Sequence, residues 1–519
     1  MNNIIHNTYK HNIPYVYTMS SQTIRIEGVT YDITDFKHPG GNIINSAKNS
    51  PDSTDTFNEF HYRSPLAKKL LRSLPVYRAS DDDADHADHA DHADHADLTQ
   101  EQREMTADYR EMRANIIEQG LFEPDYIHVY FRLMELVFYF ALGTGLAAYN
   151  IYASMLSFIA FKTRCGWVQH ECGHLSFTGN RHIDRAIQTF TMGFGGGASS
   201  SVWNSMHQKH HATPQKVKHD IDLDTTPFVA FFNRAFEDNP NRKVAARYMN
   251  RWWMRFQAWT FLPVVNGILV HLFWIYYLHP RKAILRLLSA RTIEVTLETC
   301  FELVSMVSSH LVFPYIFSTY AQYGLMYSYF LGMVLNFWNF IYLFGHFSLS
   351  HTFTGVIPED KHLLWFEYAI QHTVNISTTS AIVTWIMGYL NFQIEHHLFP
   401  SMPQYKNAAA APYVRKFCDK WKNHLTYTEH SYVNAWWLML SNLNQVGKHY
   451  YANGIGNRDG GDHSDHGDHS DHGVDHSDHG VDHSDHSDHS DHSDHSDHSD
   501  HSDHSDHSDP TTEEHLHID

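Results

Sequence analysis

Seven histidines fall into three tight groups along this chain: His170 with His174, then His207, His210 and His211, then His396 with His397, the last pair just after Gln393. At i, i+3 and i+4, the central three imidazoles share one face of a helix. A single zinc takes about four ligands and is usually built with cysteine. Seven imidazoles with an amide close by suit two irons that keep positions open to oxygen. His351 is a further candidate ligand, with a polar helix end at an interface as its alternative. Histidines already satisfied in a core would explain one group, but not all three together.

Large parts of the chain cannot position these groups. The sequence has 519 residues with 38 basic side chains, 58 acidic ones and 45 histidines, a formal charge of -20. Asp-His-Ala repeats within 84–97 and Asp-His-Ser repeats within 462–509, with the acidic residues around them, hold about half of the acidic side chains and nearly half of the histidines. The charge belongs to these stretches, and the remainder is mildly basic, as suits a protein facing an anionic membrane surface. Such compositions cannot bury a core, so 78–99 reads as an Asp/His-rich flexible linker and 451–519 as a disordered repeat tail. Nothing in the pattern calls for nucleic acid. Cys165, Cys172, Cys300 and Cys418 have no paired spacing, which favours a reduced, cytosol-side setting. The N-terminus lacks a basic stretch followed by an apolar run, so membrane insertion must come from internal segments.

Those segments are the elements that place the histidines. Residues 127–168 are almost continuously apolar, long enough for two spans of about 20 residues joined near Gly143, Gly145 and Asn150, with Lys162 and Arg164 expected to snorkel at the exit. The hairpin returns His170 and His174 to the starting side. Residues 186–203 contain a glycine-rich run that makes a poor span, so the second group stays on that side too. Asp220, Asp222 and Asp224 alternate just beyond it, either as carboxylates orienting ligand imidazoles or as a solvated acidic turn. Three apolar segments follow, near 257–278, 298–318 and 325–346. Three crossings would strand His396 and His397 on the far side, so one segment must not span. The polar residues Asn266 and His271 and the flanking arginines single out 257–278 as interfacial or re-entrant. Four spans remain, and His346 and His351 lie at the end of the last.

Near the N-terminus, a strand-like Thr-Ile-Arg-Ile precedes His38-Pro-Gly-Gly41, and His61 follows some 23 residues later. This stretch, residues 22–77, resembles cytochrome b5, and the resemblance implies that His38 and His61 are the two axial ligands of a b-type haem. With both positions filled by histidine, such an iron can only pass electrons singly. In turn, His170-Glu-Cys-Gly-His174, His207-Gln-Lys-His-His211 and Gln393-Ile-Glu-His-His397 resemble the three histidine boxes of membrane fatty acid desaturases. The fused N-terminal domain and the glutamine leading the third box are similar to the front-end group. The implied fold is an α+β cytochrome b5-like domain followed, over 100–450, by an all-α multi-span membrane desaturase domain with a di-iron centre.

The resemblance further implies an iron ligand set of His170, His174, His207, His210, His211, Gln393, His396 and His397, with His351 as a possible addition. It also implies electrons from NADH through cytochrome b5 reductase to the haem and on to two irons, which with O2 remove hydrogen from an unactivated methylene. The expected substrate is a fatty acyl lipid or acyl-CoA, and the expected location is the endoplasmic reticulum membrane with the haem domain and all boxes cytosolic. Glu171-Cys172 stands where many members of the family carry Asp. The alternatives are a sphingolipid long-chain-base desaturase, or a haem- and metal-binding membrane protein without catalysis.

Overall fold

The computed structural model describes residues 22–48, 50–77, 98–223, 225–226, 228–236 and 251–453. The repeats, the tail beyond 453, the linker up to 97 and Asp224 lie outside the described residues.

The N-terminal module opens with antiparallel strands β1 (Thr23–Ile26) and β2 (Val29–Asp32) in the register Ile26↔Val29. Glu27 and Gly28, both at positive φ, close the two-residue turn that matches strand twist. Ile24 and Ile26 alternate inward and join Ile33, Phe36, Ile44, Phe57, Leu71 and Leu74 in a small core. Helices α1 (Thr54–Phe60) and α2 (Pro65–Ser73) complete it. The Ser64 hydroxyl accepts from Ala67 N–H and Pro65 supplies the first turn of α2, both ordinary start signals.

Helix α3 (Gln100–Glu118) begins with a Thr99/Gln102 capping box, a motif that contributes about 1 kcal/mol. Its buried stripe, Met105, Tyr109, Met112 and Ile116, packs on residues that surround the third histidine group. Helices α4 (Tyr126–Leu146) and α5 (Ile151–Gly173) form the expected hairpin. Asn150 caps α5 by accepting from Ala153 N–H, and the Ser154 hydroxyl donates to the Gly143 carbonyl at 2.6 Å. A Cβ at Gly143 would come within 2.7 Å of the Phe158 ring, so glycine there permits the two helices to touch.

One expectation fails. Lys162 and Arg164 do not snorkel, because α5 continues to Gly173 and leaves both in mid-helix, each about 1% exposed. Lys162 Nζ donates to the Gly195 carbonyl (2.8 Å) and the Ser309 hydroxyl (3.2 Å), and Arg164 donates to the Trp385 carbonyl and pairs with Glu135. Their charge is met inside the protein rather than at a membrane edge.

Helix α6 (Arg181–Phe190) passes through a wide turn over Thr191–Gly195 into α7 (Ser200–Ala212), so the glycine-rich run does not span. Long helices α8 (Gln257–Leu288), α9 (Ile293–Tyr320) and α10 (Leu325–Ser348) follow. Among the described residues, α4, α8, α9 and α10 are long and apolar enough to cross a membrane. For α8, the neighbours matter as well as the length. At its start, Gln257 donates to the Leu443 carbonyl, beside the loop that leads from α10 to His351. At its end, Arg286 pairs with Glu298 and Glu302 near the start of α9, while His271 reaches Asn336 in mid-α10 and Tyr276 reaches Tyr329 near the start of that helix. Both ends thus meet segments near the histidines, while the helix is also long and apolar enough to cross a membrane. Tags placed near residues 285 and 400 are expected to show equal protease protection in intact membranes, and opposite protection would refute a re-entrant path.

The chain closes with α11 (Trp365–Gln371), α12 (Gln393–Leu398), α13 (Asn407–Lys420) and α14 (Tyr432–Asn453).

Candidate metal centre and its family

The sequence grouped the histidines two, three and two, whereas the fold regroups them five and three. His170 and His174 at the end of α5, His207 and His211 on α7 and His396 on α12 place one nitrogen each within 4.8 Å of one another. His210 on the same face of α7, His397 on α12 and His351 beyond α10 make a second group under the same limit. Gln393 joins the second group, its amide 3.1 Å from His351 Nε2. All the box residues proposed from sequence thus converge. His346 does not, because its Nδ1–H donates to the Tyr342 carbonyl and its Nε2 accepts from Tyr432.

Several contacts fit cations held between the rings. Nε2 of His207 lies 3.0 Å from Nε2 of His174 and 3.1 Å from Nε2 of His211, which itself lies 3.1 Å from Nε2 of His396. His397 is 1% exposed, and neither of its nitrogens has a hydrogen-bond partner. Buried polar atoms are rarely left so. Two groups of buried imidazoles, without a cysteine among them, fit two borderline divalent metals such as iron.

Ligand imidazoles need their second nitrogen fixed, and the structure shows how this is done. His210 Nδ1–H donates to Asp220 at 3.0 Å, with Asp222 at 3.4 Å, which supports the orienting role over a merely solvated turn. Asp220 is itself held by the backbone N–H groups of Gln215 and Asp222. His351 Nδ1–H faces the His372 carbonyl at 3.3 Å. Gln404 contacts His170 Nδ1 with its side-chain amide and donates its backbone N–H to Glu171. On α12, Asn375 and Tyr427 both donate to the Glu395 carboxylate, and Asn375 also accepts from Ile394 N–H. Gln404, Asn375 and Tyr427 escaped the sequence reading because each is an isolated polar residue in no motif.

Helix α7 is anchored from outside. The Glu302 carboxylate on α9 accepts from the hydroxyls of Ser199, Ser200 and Ser201 and from Ser201 N–H, at 2.8–3.1 Å. A carboxylate at a helix N-terminus is favourably placed against the helix dipole. Asp220→Asn should weaken iron binding about 10–100-fold, the usual cost of losing an orienting partner. Competition with a chelator would measure it, and unchanged affinity would make the contact incidental.

In the N-terminal module, the His38 and His61 rings lie 6.1 Å apart, centroid to centroid, with planes at 83°. His61 Nδ1–H donates to the Phe57 carbonyl at 2.9 Å, which leaves Nε2 free, and His38 Nδ1 lies 3.1 Å from Gly40 N. The two glycines have separate reasons. A Cβ on Gly40 would come within 2.8 Å of the His38 ring, and Gly41 sits at φ +74°. His38 also lines a cleft of about 310 Å³ with Phe36 and Ile44. Two imidazoles with that separation and a free Nε2 on His61 fit a flat metal macrocycle held from both faces.

The described residues thus combine apolar helices long enough to cross a membrane with two histidine groups that could hold metal ions. The family model described as fatty acid desaturase matches residues 144–431. An acyl-lipid (8-3)-desaturase of Thraustochytrium sp is 38% identical over 443 residues, which is 82% of this chain and 92% of the relative. A protein of the same name from Rebecca salina is 36% identical over 426 residues, 80% and 89% of the two chains. Fatty acid desaturase 3 of Bos taurus is 26% identical over 455 residues, 84% and 92%. The chain belongs to the fatty acid desaturase family, whose members are oxygen-dependent oxidoreductases.

Proposed function

We propose that this protein is a front-end acyl-lipid desaturase that draws electrons through its own N-terminal haem module. The observation that carries the reading is the convergence of eight histidines, six of them buried and two half-buried, and of Gln393 on two adjacent points, in a chain whose N-terminal module presents His38 and His61 as a facing pair. The names of the two relatives most alike in sequence among those above favour a lipid-borne chain and (8-3) placement of the new double bond.

When bound, two irons with O2 would supply an oxidant strong enough for a methylene, and a haem with two histidine ligands would supply single electrons. The protein's own residues do the rest. His170, His174, His207, His211 and His396 would hold one metal, and His210, His351, His397 and Gln393 the other. Asp220, Gln404 and the His372 carbonyl orient imidazoles, and the burial of both groups keeps water from the oxidant. Apolar helices flank the site, so an acyl chain is the substrate whose methylenes can be held against it. The cytosolic side of the endoplasmic reticulum, where a reductase delivers electrons from NADH, is the setting that fits.

The test is expression in a cell that supplies the reductase, with a panel of mono- and polyunsaturated acids and long-chain bases, and location of new double bonds by mass spectrometry. Front-end products on acyl lipids are expected. Unsaturation confined to long-chain bases would make it a sphingolipid desaturase, and none at all would favour a non-catalytic protein.

A further inference from the structure

We propose that the Trp365 indole and the backbone at Leu398 form the crossing by which electrons pass from the N-terminal module to the metal centre, and that an acidic face of α1 clamped on α3 holds the module in the pose that closes this crossing. The inference rests on the reading above, in which His38 and His61 hold a haem and the histidine groups hold two metals.

Helix α1 ends at Phe60, the residue before His61. The Phe60 ring packs edge-on against Trp365, with centroids 5.6 Å apart. Trp365 Nε1–H donates to the Leu398 carbonyl at 3.1 Å, and Leu398 is the residue after His397. One peptide link, one ring contact, one hydrogen bond and one more peptide link thus join a haem-ligand candidate to a metal-ligand candidate. Trp365 is 5% exposed, Leu398 is fully buried, and Phe60 packs half-buried against the same core. Other contacts between the two regions are longer or lie further from the ligand candidates: the Tyr109 hydroxyl reaches Glu59 and the Leu398 carbonyl at 3.4 and 3.5 Å. The Ser401 hydroxyl donates to the Glu59 carbonyl at 2.9 Å, but Ser401 lies four residues beyond His397.

The clamp is built from charge. Arg110 pairs with Asp52 (2.7 Å) and Asp55 (2.8 Å), while Arg113 pairs with Glu59, whose side chain is wholly buried between α1 and α3. Tyr62 adds a ring contact with Phe122 at 4.6 Å. A carboxylate taken out of water, as Glu59 is, needs its counter-charge present, so this interface is a built docking surface rather than a passing encounter.

The electron count gives the crossing its work. Desaturation breaks two C–H bonds and reduces O2 to two waters, which takes four electrons and four protons. The substrate supplies two of each, and NADH through the reductase, with a proton from solvent, supplies the others. Those two electrons arrive one at a time, so every turnover uses the crossing twice.

The experiment uses the full-length enzyme loaded with haem and iron. The haem is reduced anaerobically, mixed with O2 and substrate, and its re-oxidation is followed by stopped-flow absorbance. Trp365→Leu should slow re-oxidation at least about tenfold, in line with the sensitivity of such steps to small misplacements. Iron content, the reduced haem spectrum and the rate of reduction by the reductase should be unchanged. Trp365→Phe, which keeps the ring contact and loses the N–H, should fall between, and it serves if the leucine variant does not fold. Arg113→Leu should slow re-oxidation with Trp365 intact. Wild-type re-oxidation in a folded, loaded Trp365→Phe or Trp365→Leu protein would overturn the crossing alone. A wild-type protein that binds no haem would overturn the underlying reading as well.

Discussion

Replacement of His207 by alanine should abolish product formation while leaving the N-terminal module able to take up electrons. His207 is the most connected member of the five-histidine group, with its Nε2 3.0 Å from that of His174 and 3.1 Å from that of His211, and its ring stacked on Trp203. Alanine removes a donor that no neighbour can replace, since His210, one turn further along α7, already turns to Asp220. Metal affinity at this group should fall by at least about 10²-fold, beyond the upper range for an orienting partner alone. Iron analysis and product chromatography on the purified variant check the result. Full iron content together with wild-type product would remove His207 from the ligand set.

His38→Ala should give the converse. The module has its own small core around Ile24, Ile26 and Ile33, and none of its residues belongs to either histidine group. Iron loading should therefore persist while the haem band disappears. Turnover should drop to whatever free cytochrome b5 supports, and to almost nothing in cells that lack it. Full activity of the variant in such cells would mean that the fused module is not the electron donor.

The parts legible in the sequence were those written in local spacing. The i, i+3, i+4 pattern of His207, His210 and His211 survives because a helix fixes it, and the α4–α5 hairpin was legible from Gly143 and Asn150 because caps and close approaches are local. The division into five and three was not legible, since it depends on where α12 lands after more than 180 further residues. His351 and His346 looked alike in sequence, and only the fold separates a ring that faces His397 from one occupied by Tyr342 and Tyr432. Lys162 and Arg164 misled for a related reason. Composition suggested a helix leaving the membrane, whereas their partners, Gly195, Ser309, Trp385 and Glu135, come from distant segments. The family match and relatives establish the desaturase assignment independently of these details.

The regrouping also bears on how the centre is assembled. Helix α7 gives His207 and His211 to one group and His210 to the other, and α12 likewise gives His396 to the first and His397 to the second. A cation taken by either group would fix the rotation of both helices and so prearrange much of the remaining set, leaving His351 and Gln393, or His170 and His174, to close. Occupancy of the two positions is then thermodynamically linked, and the linkage is reciprocal. Apoprotein titrated with ferrous iron should fill in a sigmoidal manner, with the half-loaded species scarce at every point of the curve.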